Sequence, residues 1–174
     1  MAASAPRPGS LRDYQIALSE RLQSAGAGAP VASKLGLQVG GEGWLVDLTE
    51  AGELIPPPAI SPVPLARPWF SGVANVRGNL YSVTDFSAFL GGEPTALGEQ
   101  ARLLILNERY RSGAALLVAR SLGLHDPAGL EPRPAGGDGP AFVRGVFADA
   151  QGKLWKELDV AALIQDPAFL EASL

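Results

Sequence analysis

The sequence predicts a mainly β fold built from two related halves. Its 174 residues include 21 glycines and 15 prolines, and most of these separate short apolar runs. This spacing is typical of many short strands that are joined by turns. Hydrophobic residues make up 47% of the chain, which is enough for a packed interior. A repeat within the sequence predicts that the strands fall into two groups.

The repeat relates residues 72–89 to residues 145–163. Both segments contain a glycine–valine pair, a later glycine, and an aspartate at the same interval after that glycine. A strand–turn–strand pattern precedes each copy, so the sequence predicts two β halves, about 35–90 and 101–164. Neither half is large enough to bury much apolar surface alone, and we expect the two to pack together. Closed or nearly closed barrels would remove their exposed sheet edges.

Helical segments are predicted at both ends of the β region and after its repeated strands. Residues 1–33 are predicted to form a tail that leads into an amphipathic helix. Asp85 and Asp159 each follow a strand and are predicted to cap a short helical turn. Residues 167–174 are predicted to be a C-terminal tail that begins with a helical turn capped by Asp166.

The composition argues against several kinds of partner and site. The formal net charge is −4, whereas binding to nucleic acid or anionic lipid requires clustered lysine and arginine. The chain has no cysteine, so it can form neither a disulfide nor a thiolate metal site. The segment MAASAPRPGS lacks the apolar core of a signal peptide, and no apolar run approaches the ~20 residues of a membrane span. We therefore expect a soluble, cytoplasmic protein.

The sequence contains no recognisable catalytic or metal-binding motif. His125 is the single histidine of the chain, and one histidine without cysteines cannot make a typical zinc site. No serine lies in a GxSxG motif, and GGEGW at 40–44 lacks the lysine and helix start of a phosphate-binding loop. We therefore expect no enzymatic activity, no bound metal and no cofactor.

Two other functions remain open from the residues alone. A small β-barrel enzyme or ligand-binding protein would bring Arg77, Asp85 and His125 together in one pocket. A nucleic-acid-binding barrel would use its tryptophans to stack on bases, although the acidic balance of the chain disfavours it.

The stretch PWFSGVANVRGNLYSVTDFSAFLGG, residues 68–92, is the most organised part of the sequence. Arg77 and Gly78 lie between two apolar, strand-like runs, and Gly78 can adopt the positive φ of a tight turn. An arginine at such a turn reaches solvent, and arginine is favoured at the centres of protein interfaces. From its position alone, Arg77 is either a partner contact or a solvated turn residue.

This stretch resembles the signature of the CheW family, the adaptor proteins of bacterial chemotaxis-type signalling. The matching elements are Gly72-Val73, Asn75-Val76-Arg77-Gly78, Asp85 and Phe89-Leu90. The predicted CheW-like domain spans residues 34–166. The segment GVANVRG and the predicted N-terminal helix most resemble those of family members from type IV pilus (twitching-motility) systems.

The resemblance implies two SH3-like five-stranded β-barrels on a shared core, and a non-catalytic function. Adaptors of this family couple a chemoreceptor to a kinase. The implied partners are therefore the regulatory domain of a CheA-type histidine kinase and the cytoplasmic tip of a methyl-accepting chemoreceptor. The protein is then expected in the cytoplasm, recruited to membrane-bound receptor arrays.

The resemblance also implies a set of partner-binding residues. The arginine of the Asn-hydrophobic-Arg-Gly motif is implicated in receptor contact in the family, and here it is Arg77. Ala51 falls where the family usually has a larger apolar contact residue. The implied set is Ala51, Gly72, Val73, Asn75, Val76, Arg77 and Gly78. Ser82 and Ser87 depart from the family pattern, which often has proline and arginine at those places.

Overall fold

The computed structural model describes residues 33–134 and 136–172. Within these ranges the chain forms twelve strands, three short α-helices and two 3-10 turns. The strands are β1 (Lys34–Val39), β2 (Glu42–Asp47), β3 (Ala51–Ile55), β4 (Ile60–Ser61), β5 (Phe70–Val76), β6 (Asn79–Asp85), β7 (Arg102–Leu106), β8 (Ala114–Val118), β9 (Arg120–His125), β10 (Glu131–Arg133), β11 (Val143–Ala148) and β12 (Leu154–Leu158). The helices are α1 (Phe86–Phe89), α2 (Val160–Gln165) and α3 (Pro167–Leu170), and the 3-10 turns are Glu108–Tyr110 and Pro127–Gly129. None of the described helices is long and apolar enough to cross a membrane. The predicted N-terminal helix lies outside the described residues.

The strands form two sheets of six strands each. Sheet A has the order β10-β11-β12-β2-β1-β9, and sheet B has the order β3-β7-β8-β6-β5-β4. The predicted mainly β fold is confirmed, but each sheet has one strand more than the five that the resemblance implied. Each sheet ends in a very short edge strand, β10 with three residues and β4 with two. Short edge strands limit pairing with other chains.

The two sheets do not coincide with the halves predicted at about 35–90 and 101–164. Sheet B is formed by consecutive strands, β3 to β8, and is inserted between β2 and β9 of sheet A. The repeated units are real as local structures, since β5-β6-α1 and β11-β12-α2 have the same order of elements. Each unit, however, pairs with the hairpin that precedes the other copy: β12 lies parallel to β2, and β6 lies parallel to β8. Strand pairing depends on which edges meet in space, and the repeat alone does not specify this.

The β7–β8 hairpin separates two hydrophobic cores. Alternate residues of these strands, such as Leu104 and Leu116, pack in a large core with residues of sheet A that include Trp44. The intervening residues, such as Leu103 and Leu117, pack in a smaller core inside sheet B. All five residues of β8 are buried. The large core joins the two sheets, as expected of halves that cannot fold separately.

All three predicted aspartate caps are confirmed. Asp85, Asp159 and Asp166 each accept a hydrogen bond from a backbone N–H in the first turn of the following helix, at 3.3, 3.0 and 2.8 Å respectively. These bonds satisfy N–H groups that have no partner within the helix. Asp85 also accepts two hydrogen bonds from Thr95, at 2.7 and 2.8 Å, which hold the connection that follows α1.

The segment predicted as a C-terminal tail packs against the domain as far as residue 172. Phe169 on α3 is buried and lies parallel to Trp69, with their ring centroids 6.4 Å apart. Phe89 completes the cluster, with its ring perpendicular to that of Phe169 and the two centroids 5.6 Å apart. The backbone N–H of Arg67 donates to the carbonyl of Ala172 at 2.8 Å. Aromatic packing and a backbone hydrogen bond therefore fix this segment beside sheet B.

We expect Phe169→Ala to lower the free energy of unfolding by about 3 kcal/mol, because it removes a buried ring from an aromatic cluster. The neighbouring Leu170 is 65% exposed, so Leu170→Ala should cost less than about 0.5 kcal/mol. Urea denaturation of the two variants measures both values. Equal effects would show that the segment is not packed as described.

Candidate partner-binding site

The β5–β6 hairpin presents Arg77 at its tip. Arg77 and Gly78 form a two-residue turn between the paired residues Val76 and Asn79. Both turn residues have positive φ, +52° and +87°, as the type I′ turn of a tight hairpin requires. The side-chain oxygen of Asn75 accepts a hydrogen bond from the Gly78 N–H at 2.9 Å. The motif therefore builds its own turn, and it holds the arginine at a fixed point.

The Arg77 side chain is 69% exposed and forms an ion pair with Glu53 on β3. The hydrogen bond to Glu53, together with the charge of that carboxylate, raises the pKa of Arg77 above its ordinary value. Ion pairs between exposed side chains contribute little to stability. A carboxylate of another protein could therefore replace Glu53 at small cost.

A cavity of about 340 Å³ lies beside Arg77. Its walls come from β3, the β5–β6 hairpin, the end of β7 and the turn that follows β7. Its lining residues are Gly52, Glu53, Val76, Arg77, Asn79, Tyr81, Ile105, Leu106, Asn107 and Glu108. The mixture of apolar, amide and charged groups on concave walls suits a protein segment better than a purely apolar ligand.

Two of the predicted site residues are buried. Gly72 has a φ of +135°, and a Cβ atom there would overlap the backbone carbonyl of Ser61 on β4. Val76 is 9% exposed and packs in the smaller core. Gly72 shapes the hairpin from inside the sheet, whereas Val76 contributes a small exposed area to the wall of the Arg77 cavity.

The other predicted residues lie at or near the surface. Asn75, Arg77 and Gly78 are exposed, whereas Val73 is half-buried. Ala51, at the start of β3, is half-buried and packs against the large core. The exposed part of the predicted set is thus confined to the tip of one hairpin. Whether these residues bind a partner stays a prediction.

Comparison with known proteins identifies the family. Residues 34–168 match the CheW-like domain. The chain belongs to the CheW-like family. It is 29% identical over 170 residues to Protein PilI of Pseudomonas aeruginosa. The aligned region covers 91% of this chain and 94% of that protein. The resemblance noted in the sequence is therefore confirmed.

A solved structure supports the same fold. The CheW-like domain is similar to the crystal structure of the scaffolding protein TtCheW from Thermoanaerobacter tengcongensis, with a TM-score of 0.60 and 18% identity. The match covers 74% of this chain and 88% of that chain. It confirms the predicted CheW-like fold of two SH3-like barrels on a shared core.

The CheW-like domain does not bring Arg77, Asp85 and His125 together. His125 is the last residue of β9 in sheet A, where its ring packs on Trp155 with centroids 4.5 Å apart. Asp85 is 5% exposed and is occupied by its helix cap and by Thr95. Arg77 lies on sheet B, bound to Glu53. The alternative of a catalytic or ligand-binding pocket made by these three residues therefore has no support.

The tryptophans are also used for packing. Trp44 and Trp155 are 1% and 3% exposed, and Trp69 lies against Phe89 and Phe169. These faces are not free to stack on nucleic-acid bases. Within residues 33–134 and 136–172, no group of three or more histidine, aspartate or glutamate side chains is arranged to hold a metal ion.

Sequence reasoning missed an ionic network that ties strands of sheet A to the turn leading into sheet B. Arg144 on β11 lies 2.6 Å from Glu50 in the β2–β3 turn, and 3.5 Å from both Glu157 and Asp159. Lys34 on β1 lies 2.6 Å from Glu157. Burial lowers the pKa of Arg144, but the hydrogen bond and charge of Glu50, with the other carboxylates, outweigh this and hold the pKa above its ordinary value. The network fixes the turn at which the CheW-like chain passes from sheet A to sheet B. These residues are far apart in the sequence, so no local spacing indicates it.

Gly72 and Gly78 should respond differently to alanine. We expect Gly72→Ala to lower the free energy of unfolding by about 2–4 kcal/mol, because the methyl group clashes with a backbone and the positive φ is unfavourable. Gly78 has open space around it, so Gly78→Ala should cost only about 1 kcal/mol, from its φ. Urea denaturation compares the two. Similar values would show that β4 does not pack closely on Gly72.

Proposed function

We propose that this protein is a non-catalytic adaptor that couples a methyl-accepting chemoreceptor to a CheA-type histidine kinase in a chemotaxis-like system. Its output would be type IV pilus (twitching) motility. Membership of the CheW-like family supports the adaptor function. The similarity to Protein PilI, over most of both chains, supports the link to type IV pili.

The observation that carries the proposal is the fixed and exposed position of Arg77. A residue other than glycine with left-handed φ costs roughly 1–2 kcal/mol and persists only where its surroundings impose it. The Asn75 side chain and the β5–β6 pairing impose it here. Because the arginine is already held beside a cavity, a partner loses little entropy in ordering it. We assign the Arg77 cavity to the cytoplasmic tip of the chemoreceptor.

Coupling requires two surfaces that do not overlap. The Arg77 cavity is lined by strands of sheet B and the turn after β7, which leaves sheet A available to a second protein. We assign sheet A to the regulatory domain of the kinase. In this arrangement the adaptor works in the cytoplasm and reaches the membrane through the receptor. It needs no cofactor, because its function is to hold two proteins together.

We expect Arg77→Glu to weaken binding of the receptor tip by at least about tenfold, as for an arginine at the centre of an interface. Its melting temperature should stay close to that of the wild type, because the Arg77 side chain is exposed. Isothermal titration calorimetry and thermal denaturation measure the two effects. Arg133→Glu is a matched control, since Arg133 is an exposed arginine on β10 of sheet A. A melting temperature that falls in proportion to the affinity would instead make Arg77 structural.

The wild-type protein should also co-purify with the regulatory domain of the cognate kinase. Arg77→Glu should keep this complex while it loses the receptor, because the two surfaces are separate. Absence of any wild-type complex at tens of micromolar would contradict the adaptor function. Loss of both partners in the Arg77 variant would contradict the division between the two sheets.

A further inference from the structure

The cavity beside Arg77 continues along sheet B. A second cavity of about 290 Å³ shares five lining residues with it, Asn79, Tyr81, Leu106, Asn107 and Glu108. A third cavity of about 560 Å³ shares Arg111 and Ser112 with the second. We call these three cavities the sheet B trough. It runs from Arg77, past the β7–β8 turn, to α3.

Arg111 occupies the middle of the trough. It is exposed and has a φ of +49°. In the described ranges, only Leu65, Arg77 and Arg111 are residues other than glycine with positive φ, so two of these three lie in the trough. Such strained positions are concentrated at functional sites. The backbone N–H of Arg111 donates to the backbone carbonyl of Glu108 at 2.9 Å, and this bond ends the 3-10 turn and holds this conformation.

The guanidinium of Arg111 differs from those of the other arginines discussed above. Among the described residues it forms no side-chain hydrogen bond and no ion pair, whereas Arg77 is bound to Glu53 and Arg144 to Glu50. Arg109, two residues earlier, donates to the Tyr110 hydroxyl at 2.7 Å. The segment 108–111 therefore carries two arginines and one acidic residue, Glu108, in a chain whose net charge is −4. Glu50, from the β2–β3 turn, acts on the charge of Arg109 and accepts a hydrogen bond from the Tyr110 hydroxyl.

The far end of the trough is largely apolar. Phe70, Ile164, Phe169 and Leu170 line it, and Leu170 is 65% exposed. An apolar cavity next to a guanidinium that has no partner within the described ranges fits an apolar side chain that is followed or preceded by a carboxylate.

We propose that the sheet B trough binds an acidic, amphipathic segment of a partner protein, with a carboxylate on Arg111 and an apolar side chain in the cavity beside Phe169. This rests on the proposed function and extends it. The receptor tip that reaches Arg77 also contacts Arg111, because the two lie in one continuous trough. Arg111 is thus a second binding residue, which the signature stretch does not contain.

The test uses the full-length protein and the cytoplasmic tip of the cognate receptor as the probe. Arg111→Glu should weaken binding by about tenfold or more, as expected for a charge-paired interface arginine. Arg111→Gly should also weaken binding, but its melting temperature should be unchanged or higher, because glycine adopts positive φ without strain. Arg133→Glu makes the same charge change outside the trough and should keep wild-type affinity.

The outcomes separate this inference from the proposed function. If Arg77→Glu loses the receptor tip while both Arg111 variants bind within about twofold of the wild type, the inference is overturned and the adaptor function stands. A fall in melting temperature with Arg111→Gly would overturn it too, because Arg111 would then be structural. The same holds if the Arg111 variants lose the kinase domain but keep the receptor tip. If the wild type binds neither protein, the proposed function fails, and this inference with it.

Discussion

Burial of both faces of the β7–β8 hairpin is the constraint on which the rest of the structure depends. One face closes the smaller core inside sheet B, and the other contributes to the large core that joins the sheets. A strand buried on both sides cannot shift its register without moving apolar side chains out of both cores. The turn at its end, which carries Arg109 and Arg111, is therefore held on a rigid support.

The two arginines that we propose as partner contacts are placed on this support by local geometry. Asn75 and Gly78 build the turn that holds Arg77. In the β7–β8 hairpin, the 3-10 turn before Arg111 holds the backbone of that arginine in place. Both arginines are held in unfavourable backbone conformations by structure beneath them. A scaffold protein gains from such rigidity, because its own groups are already positioned when a partner arrives.

Features encoded within a few residues could be predicted from the sequence. The strands follow from apolar runs separated by glycine and proline, and the aspartate caps follow from their position after each repeated strand. Features that depend on distant residues could not. The exchange of hairpins between the sheets and the contact of Arg144 with Glu50 join parts of the chain that share no local pattern. Gly72 was assigned to the site because it lies in the signature, although its neighbour Ser61 gives it a steric function.

The insertion of sheet B within sheet A has a consequence for biosynthesis. The strands of sheet B are consecutive, so they can pair as soon as residue 118 has left the ribosome. One edge of strand β2 must wait for β12, which follows all of sheet B in the chain. During this delay the nascent chain exposes an unpaired strand edge, the kind of surface through which polypeptides aggregate. We therefore expect the β1–β2 hairpin, although it is made before sheet B, to complete its strand pairing after sheet B has formed.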